Sequence, residues 1–261
     1  MSYLDSFSLQ GKVALVPGGG GAMGSAIASA LAGAGAKVVV ANRTLASAEA
    51  AAARIRDAGG DAIAVTADAT SEADAERAVA QTIERFGSID IIVNCVGGGA
   101  GEVLHDAQSY PRDAWDWIME LNVRSTVVPT EAAVRAMIEA GTGGKVVNLS
   151  SVRAVLGINA GYSAYVAAKG AIESLTRQWA TEWAKHGINV NAIRPTFVDT
   201  PQVASLLGDP TFKAGIVSRI PLGRVGVTDD ITGAVVFLAS PAAGFITGQV
   251  IGIDGGLTAT Q

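Results

Sequence analysis

The sequence predicts an α/β fold, a Rossmann-type, doubly wound sheet of seven parallel strands in a three-layer α/β/α arrangement. Three observations predict it. Short β-rich runs alternate with longer amphipathic stretches along the whole chain. The β-rich runs are apolar nearly throughout, as strands covered on both faces are. The first of them leads straight into a glycine-rich turn and a helix.

Taken in order, strand 13–16 opens into Pro17-Gly-Gly-Gly-Gly-Ala22-Met-Gly24 and helix 22–34. Glycines there let the turn tighten and let backbone N–H groups approach a pyrophosphate at the positive end of the helix. Gly18, Gly20, Gly21 and Met23 are the candidate contacts, and the methyl of Ala22 narrows the approach. A tight strand–helix connection is the plainer reading of a lone glycine run. Its place after the first strand of an α/β chain favours a dinucleotide.

Strand 37–41 ends Ala41-Asn42-Arg43. An acidic residue at this point would bind a ribose 2′-hydroxyl and repel a 2′-phosphate. Neutral Asn42 followed by Arg43, whose guanidinium suits a phosphate, favours NADP, with NAD as the alternative. A solvated arginine at a helix start is the other reading of Arg43. The Ala-rich stretch 45–58 is a good helix former. Strand 62–66 and helix 72–86 follow, then strand 89–93, helices 113–121 and 125–140, and strand 144–149. Helix 162–185, strand 189–193, helix 228–239 and strand 250–253 complete the alternation. Segment 196–224, with three of the eight prolines, is the longest stretch without a pattern and is suited to close over a ligand. No linker, repeat or low-complexity tract interrupts the chain, so residues 1–261 are expected to form one domain with both dinucleotide-binding and catalytic parts.

Composition narrows the function. Hydrophobic residues make up 49% and charged residues 16%, which excludes disorder and provides for a large core. Nineteen basic residues stand against twenty-four acidic ones, with no basic cluster, so nucleic acid is not the expected partner. One cysteine, Cys95, excludes an internal disulfide framework and fits a reducing compartment. No run approaches the ~18 apolar residues of a membrane span, and the N-terminus lacks a basic start. The expectation is a soluble, cytoplasmic protein.

Tyr165 and Lys169 lie four residues apart in Tyr162-Ser-Ala-Tyr165-Val-Ala-Ala-Lys169, on one face of a helix. A fixed positive charge beside a phenol favours the phenolate, so Lys169 is expected to lower the proton affinity of Tyr165. The pair can then exchange a proton with a substrate oxygen near neutrality. The spacing alone is common. It gains weight from the glycine turn and from Asn148-Leu-Ser-Ser151 closing a strand just upstream. Other candidates read more simply. Cys95 is expected to fill a close-packed strand end, and Ser150 to be structural. His105 and His186 lack the spacing of a metal site, and no metal is expected. Arg153, two residues past Ser151, is placed either to meet a carboxylate or polyol or to be solvated.

Together these features resemble the short-chain dehydrogenase/reductase family, over essentially the whole chain. The family's glycine turn aligns with Pro17–Gly24, with Pro17 for its Thr and Ala22 for its middle Gly. Its adenine-contacting Asp falls on Asp68, beside Ala69, and its Asn-Asn-Ala-Gly on Asn94-Cys-Val-Gly97. Its catalytic Asn, Ser, Tyr and Lys fall on Asn122, Ser151, Tyr165 and Lys169. Its nicotinamide-contacting segment is Pro195-Thr-Phe-Val198-Asp-Thr200, and residues 246–256 are similar to its last strand and turn.

The resemblance implies that Tyr165 gives a proton to the carbonyl oxygen in reduction or takes it in oxidation. Lys169 would lower the tyrosine pKa and hold the nicotinamide ribose, Ser151 would orient the substrate oxygen, and Asn122 would hold a water that relays protons. It also implies a homotetramer built on helices 125–140 and 162–185, with Trp179 or Trp183 as interface residues. The substrate would be a small molecule, a secondary alcohol or ketone. Arg153, Asn159 and Gln202 lean toward a sugar-like or hydroxy-acid compound. A catalytically idle nucleotide-binding regulator or scaffold is the competing reading, disfavoured by the complete set of four catalytic-type residues. A sugar-nucleotide epimerase fits poorly, because only about 65 residues follow Pro195.

Overall fold

The computed structural model describes residues 3–99, 101 and 103–260. Seven strands, β1 (Val13–Pro17), β2 (Lys37–Asn42), β3 (Ala62–Thr66), β4 (Ile91–Asn94), β5 (Gly144–Leu149), β6 (Ile188–Pro195) and β7 (Val250–Ile253), form one sheet. All are parallel, in the order β3-β2-β1-β4-β5-β6-β7. The order reverses between β1 and β4, and the crevice that opens at such a point is where α/β sheets bind ligands.

Side-chain alternation sorts the core into two layers. Ala14, Val16, Val38 and Val40 face one side, where they meet Ile27 and Leu31 of α1 (Ala22–Gly33) and Ala48 and Ile55 of α2 (Leu45–Asp57). Leu15, Val39 and Ile92 face the other side, against Ala75, Ala78 and Val79 of α3 (Glu72–Phe86). Helices α4 (Arg112–Met119), α5 (Ser125–Ala140) and α6 (Ser163–Trp183) follow along the chain. Val134 of α5 and Trp179 of α6 extend this second layer. Fully burying each Leu, Ile or Val contributes about 1.5–3 kcal/mol. Local chemistry fixes the ends. Ser71 Oγ accepts from Asp74 N at 3.3 Å to start α3, and Gly87, at φ 88°, ends it where a side chain would be strained.

Three differences from the expected elements bear on the site. The fourth strand begins at Ile91 rather than at residue 89; Asp90, just before it, bonds Val13 O and Lys145 N through its backbone and Lys12 and Val13 N through its carboxylate. Helices expected at 113–121 and 125–140 are one continuous helical path, joined by a π-helical turn at Glu120–Arg124. Segment 196–224 is not irregular. It holds a 3₁₀ turn (Pro201–Val203), α7 (Ala204–Leu207) and α8 (Pro210–Val217). Asp209 Oδ1 caps α8 by accepting from Thr211 N at 2.8 Å, with Pro210 at the first helical position. α9 (Thr228–Ala239) then returns to the first layer through Ile231, Val235 and Leu238. No helix among the described residues is long and apolar enough to cross a membrane.

Candidate active site

Two adjoining cavities open at the carboxyl ends of the strands. The larger, of about 440 Å³, is lined by the glycine turn and the ends of β2 and β3, and the smaller, of about 180 Å³, by Ser151, Tyr165 and Lys169. Cys95, Val96 and Gly97, just past β4, border both.

The turn after β1 is backbone packed on backbone. Gly18 N donates to Ala41 O at 2.9 Å and Gly21 N to Gly18 O at 3.0 Å. A β-carbon on Gly18 would lie 2.7 Å from Val96 N, and one on Gly24 would collide with the Gly18 carbonyl. One on Gly20 would lie 2.9 Å from Asn42 Cγ. Only glycine keeps this turn low beneath the cavity, and Gly18 and Gly21 line it directly. Ala22 is exposed at the first position of α1 and lines neither cavity, so the narrowing expected of its methyl does not occur. Such a cradle, ending at a helix N-terminus, fits a pyrophosphate.

Around the same cavity stand Asn42 and Arg43 from the end of β2 and Asp68 and Ala69 from beyond β3. Asn42 Nδ2 donates to Thr44 O at 3.4 Å. The Arg43 side chain is exposed and makes no ion pair among the described residues. Asp68 Oδ1 accepts from Thr70 N at 2.9 Å and Thr70 Oγ1 at 2.8 Å, which fixes its carboxylate at the rim. Asn94 sits deeper and lines neither cavity. Its amide donates to Thr130 Oγ1 at 2.7 Å and Asn148 Oδ1 at 2.8 Å, tying β4 to α5 and β5.

In the smaller cavity, α6 presents Tyr165 and Lys169 from one face, with Lys169 Nζ 5.6 Å from the centre of the Tyr165 ring. Nζ donates to Leu149 O at 3.1 Å. Ser151 leads the 3₁₀ turn Val152–Ala154, its Oγ accepting from Arg153 N at 3.2 Å, and it hydrogen-bonds the Tyr165 phenol. Asn122, fully buried in the π-helical turn, is clamped on three sides. Its Oδ1 accepts from Gly98 N at 2.9 Å, and its Nδ2 donates to Gly98 O at 3.1 Å and Ile118 O at 3.0 Å. Gly97, at φ 149°, passes so close that a β-carbon would lie 2.8 Å from Asn122 Oδ1 and 3.0 Å from Lys169 Nζ. Asn122 and Lys169 thus meet across a bare stretch of backbone. Pro195, Val198 and Thr200, with Met23 from the glycine turn, complete the wall.

The electrostatics differ from expectation in one respect. Burial, its main influence, raises the Tyr165 phenol, while the Ser151 hydrogen bond and the Arg153 charge act the other way; Lys169 is not among the influences. The reason lies with Lys169 itself. Buried at 3% exposure, its ammonium is pushed down to about 8 by loss of hydration, and it donates to Leu149 rather than to the phenol. Cys95 is partly exposed and lines both cavities, so it is more than core filling. Loss of hydration pushes its thiol up to about 12, which disfavours the thiolate.

Residues 20–258 match the family model described as "Enoyl-(Acyl carrier protein) reductase". A 2-dehydro-3-deoxy-D-gluconate 5-dehydrogenase of Dickeya dadantii is 36% identical over 253 residues, 97% of this chain and 98% of the relative. A 2-(S)-hydroxypropyl-CoM dehydrogenase 3 of Xanthobacter autotrophicus is 40% identical, over 96% and 98% of the two chains. The crystal structure of a gluconate 5-dehydrogenase from Burkholderia cenocepacia, in complex with NADP and tartrate, superposes with a TM-score of 0.91 at 34% identity, covering 100% of both chains. The chain belongs to the short-chain dehydrogenase/reductase family. It is therefore an oxidoreductase, and these relatives lend nothing to the alternative of an idle nucleotide-binding scaffold.

Within this short-chain dehydrogenase/reductase, several residues carry more than their spacing suggested. Arg153 is buried at 5% exposure and lines the smaller cavity, so it is not a solvated surface arginine. Gln202 lines that cavity too, but Asn159 is exposed and does not. Trp179 is buried in the second core layer and stacks on the partly exposed Trp183 at 5.1 Å, so Trp179 is a core residue. Ser150 Oγ donates to Glu173 Oε1 at 2.8 Å, and Glu173 takes two bonds of 2.7 Å from Arg194. This pair, Glu173 buried and Arg194 half-buried, was not anticipated; an acid on the apolar face of α6, one turn past Lys169, was the available signal. Trp117 and Leu121 on the larger cavity, and Thr196 on the smaller, were also missed. No group of three or more His, Cys, Asp or Glu among the described residues is arranged to hold a metal.

Proposed function

We propose that this enzyme is an NADP-dependent oxidoreductase interconverting a polar secondary alcohol and its ketone, of sugar-like or hydroxy-acid type. The observation that carries the reading is the gathering of Ser151, Tyr165 and Lys169 on one wall of a cavity that adjoins the glycine cradle. Gly18, Gly20, Gly21 and Met23 receive the pyrophosphate, Asp68 and Ala69 the adenine side, and Asn42 and Arg43 the 2′-phosphate. Gly97, Pro195, Val198 and Thr200 border the nicotinamide side, and Asn94 holds the sheet beneath it. The name of the Burkholderia cenocepacia relative's structure, with NADP, supports this cofactor. Gluconate-type substrates in the relatives' names support the substrate class.

A bound nicotinamide supplies or accepts the hydride. The chain's own residues handle the oxygen and its proton. Ser151 orients the substrate oxygen, and Tyr165 gives its proton to that oxygen in reduction and recovers it in oxidation. Lys169, near half-charged around pH 8, refills the proton from the direction of Asn122. The Asn122 side chain is held by Gly98 and Ile118. A relay water would be held by its main-chain carbonyl, which also accepts Thr126 Oγ1 at 2.9 Å. Arg153 meets the polar end of the substrate.

The reading includes one domain, a cytoplasmic setting that suits the unpaired Cys95, and a homotetramer. Leu175 and Trp183, partly exposed beside buried Trp179 on α6, supply apolar surface for a neighbouring subunit. Light scattering behind a sizing column is expected to give four chains, and a monomer at micromolar concentration would remove that part. Mixing the protein with NADPH and a panel of polar ketones tests the activity. Reduced-cofactor absorbance should fall with one or more of them. Firm NADPH binding with no turnover on any would favour the idle scaffold instead.

A further inference from the structure

Arg153 is a charge without a counter-charge. The residue is 5% exposed, and among the described residues it makes no ion pair. Of its five side-chain N–H groups, one bond is made, from Nη1 to Gly157 O at 3.3 Å. No Asp or Glu among the described residues lines the cavity it faces. The neighbouring cation, Arg219, is exposed and also makes no ion pair, and its charge adds to the burial that already disfavours the charged form of Arg153. A contrast lies nearby, where half-buried Arg194 donates to both oxygens of buried Glu173. Buried charges in folded proteins are paired, because each uncompensated one costs several kcal/mol. Arg153 shares its cavity with Ser151 and Tyr165, so whatever completes it lies within one small molecule's length of the reacting oxygen.

We propose that Arg153 is the anchor of an oxyanion subsite, and that the substrate is a hydroxy acid whose carboxylate pairs with this guanidinium while its alcohol carbon faces Ser151 and Tyr165. This rests on the oxidoreductase reading and sharpens it. A planar, two-pronged donor matches a carboxylate, and a neutral polyol would leave the guanidinium unpaired. Specificity then comes chiefly from rejecting neutral compounds, since a site built for a charged partner discriminates strongly against analogues that lack it.

The test separates binding from turnover. NADPH-loaded wild-type protein, which has no oxidant for an alcohol, is titrated calorimetrically with five- and six-carbon aldonates and with the matching aldonamides and alditols. A sulfonate and a phosphate ester of similar length distinguish a carboxylate from other oxyanions. Aldonates are expected to bind about 10- to 100-fold more tightly than the aldonamides, the worth of a charge-assisted pair. In Arg153→Gln that preference should vanish while affinity for the amide stays unchanged. If Arg153→Gln does not fold, Arg153→Lys keeps the charge without the fork and should weaken aldonate binding about tenfold. Equal binding of acid and amide, a preference that survives Arg153→Gln, or undiminished affinity in Arg153→Lys would overturn the proposal. Tighter binding of the sulfonate or phosphate than of any carboxylate would overturn the hydroxy-acid assignment. Because binding is read directly, these outcomes stand apart from a failure of turnover.

Discussion

The Lys169 ammonium donates to the Leu149 carbonyl at 3.1 Å, tying α6 to the end of β5 at the point where the sheet stops and the cavity begins. That bond holds Nζ against Gly97 and Asn122, in a place nearly closed to water. Position and loss of hydration have one cause, the depth at which α6 crosses the strand ends.

A consequence for stability follows. The folded-state value for Lys169 is about 8, below its ordinary 10.5, so between these limits the unfolded chain binds more protons and stability rises with pH. Lys169→Met is expected to abolish useful turnover yet to raise stability at pH 7, by on the order of 1–3 kcal/mol. The gain should shrink as pH climbs from about 8 toward 10.5. Urea unfolding of both proteins at neutral and alkaline pH checks this, and a less stable variant at pH 7 would refute it.

Cofactor choice is predicted to rest on Arg43 and Asn42. A guanidinium–phosphate contact contributes about 1.5–3 kcal/mol, so NADPH should bind at least about tenfold more tightly than NADH. Arg43→Ala should erase the difference, and Asn42→Asp combined with it should reverse it. Fluorescence titration of both reduced cofactors decides; equal affinities in the wild type would show that Arg43 is a solvated residue.

The glycines divide sharply. Gly24→Ala drives a β-carbon into the Gly18 carbonyl, so NADPH binding should fall at least about tenfold as the turn is pushed up into the cavity. Gly233 is exposed within α9 with open space around it, and Gly233→Ala should add roughly 0.5–1 kcal/mol of stability with no effect on cofactor. Thermal melts and NADPH titration of the two variants test the contrast. Normal binding by Gly24→Ala would mean the turn does not set the cradle.

Much of this was legible because the strands are written redundantly. Val38, Val39 and Val40 are apolar on both faces, which only a sheet sandwiched between helices requires, and that fixed the layers. The placing of Pro17–Gly24, Tyr165 and Lys169 around adjoining cavities could be read because local spacing sets each of them. What escaped depends on distance in sequence. Glu173 meets Arg194 across twenty-one positions, and the spacing of neither residue announces the other. The helices in 196–224 were hidden because their apolar residues, Leu207 and Ile216, pack in a small satellite cluster rather than against the sheet, so no long periodic stripe is needed. The pull of burial on the Tyr165 phenol was not read because helix spacing reports which groups are close but not how dry they are.

The central claim is that Tyr165 is the proton donor to the substrate oxygen. The most direct measurement is turnover of Tyr165→Phe beside its NADPH affinity. Removing a general acid should lower the rate by about 10²–10⁴, while NADPH binds as it does to the wild type and the melting temperature is held. Turnover at the wild-type rate in the Tyr165→Phe protein would contradict the account.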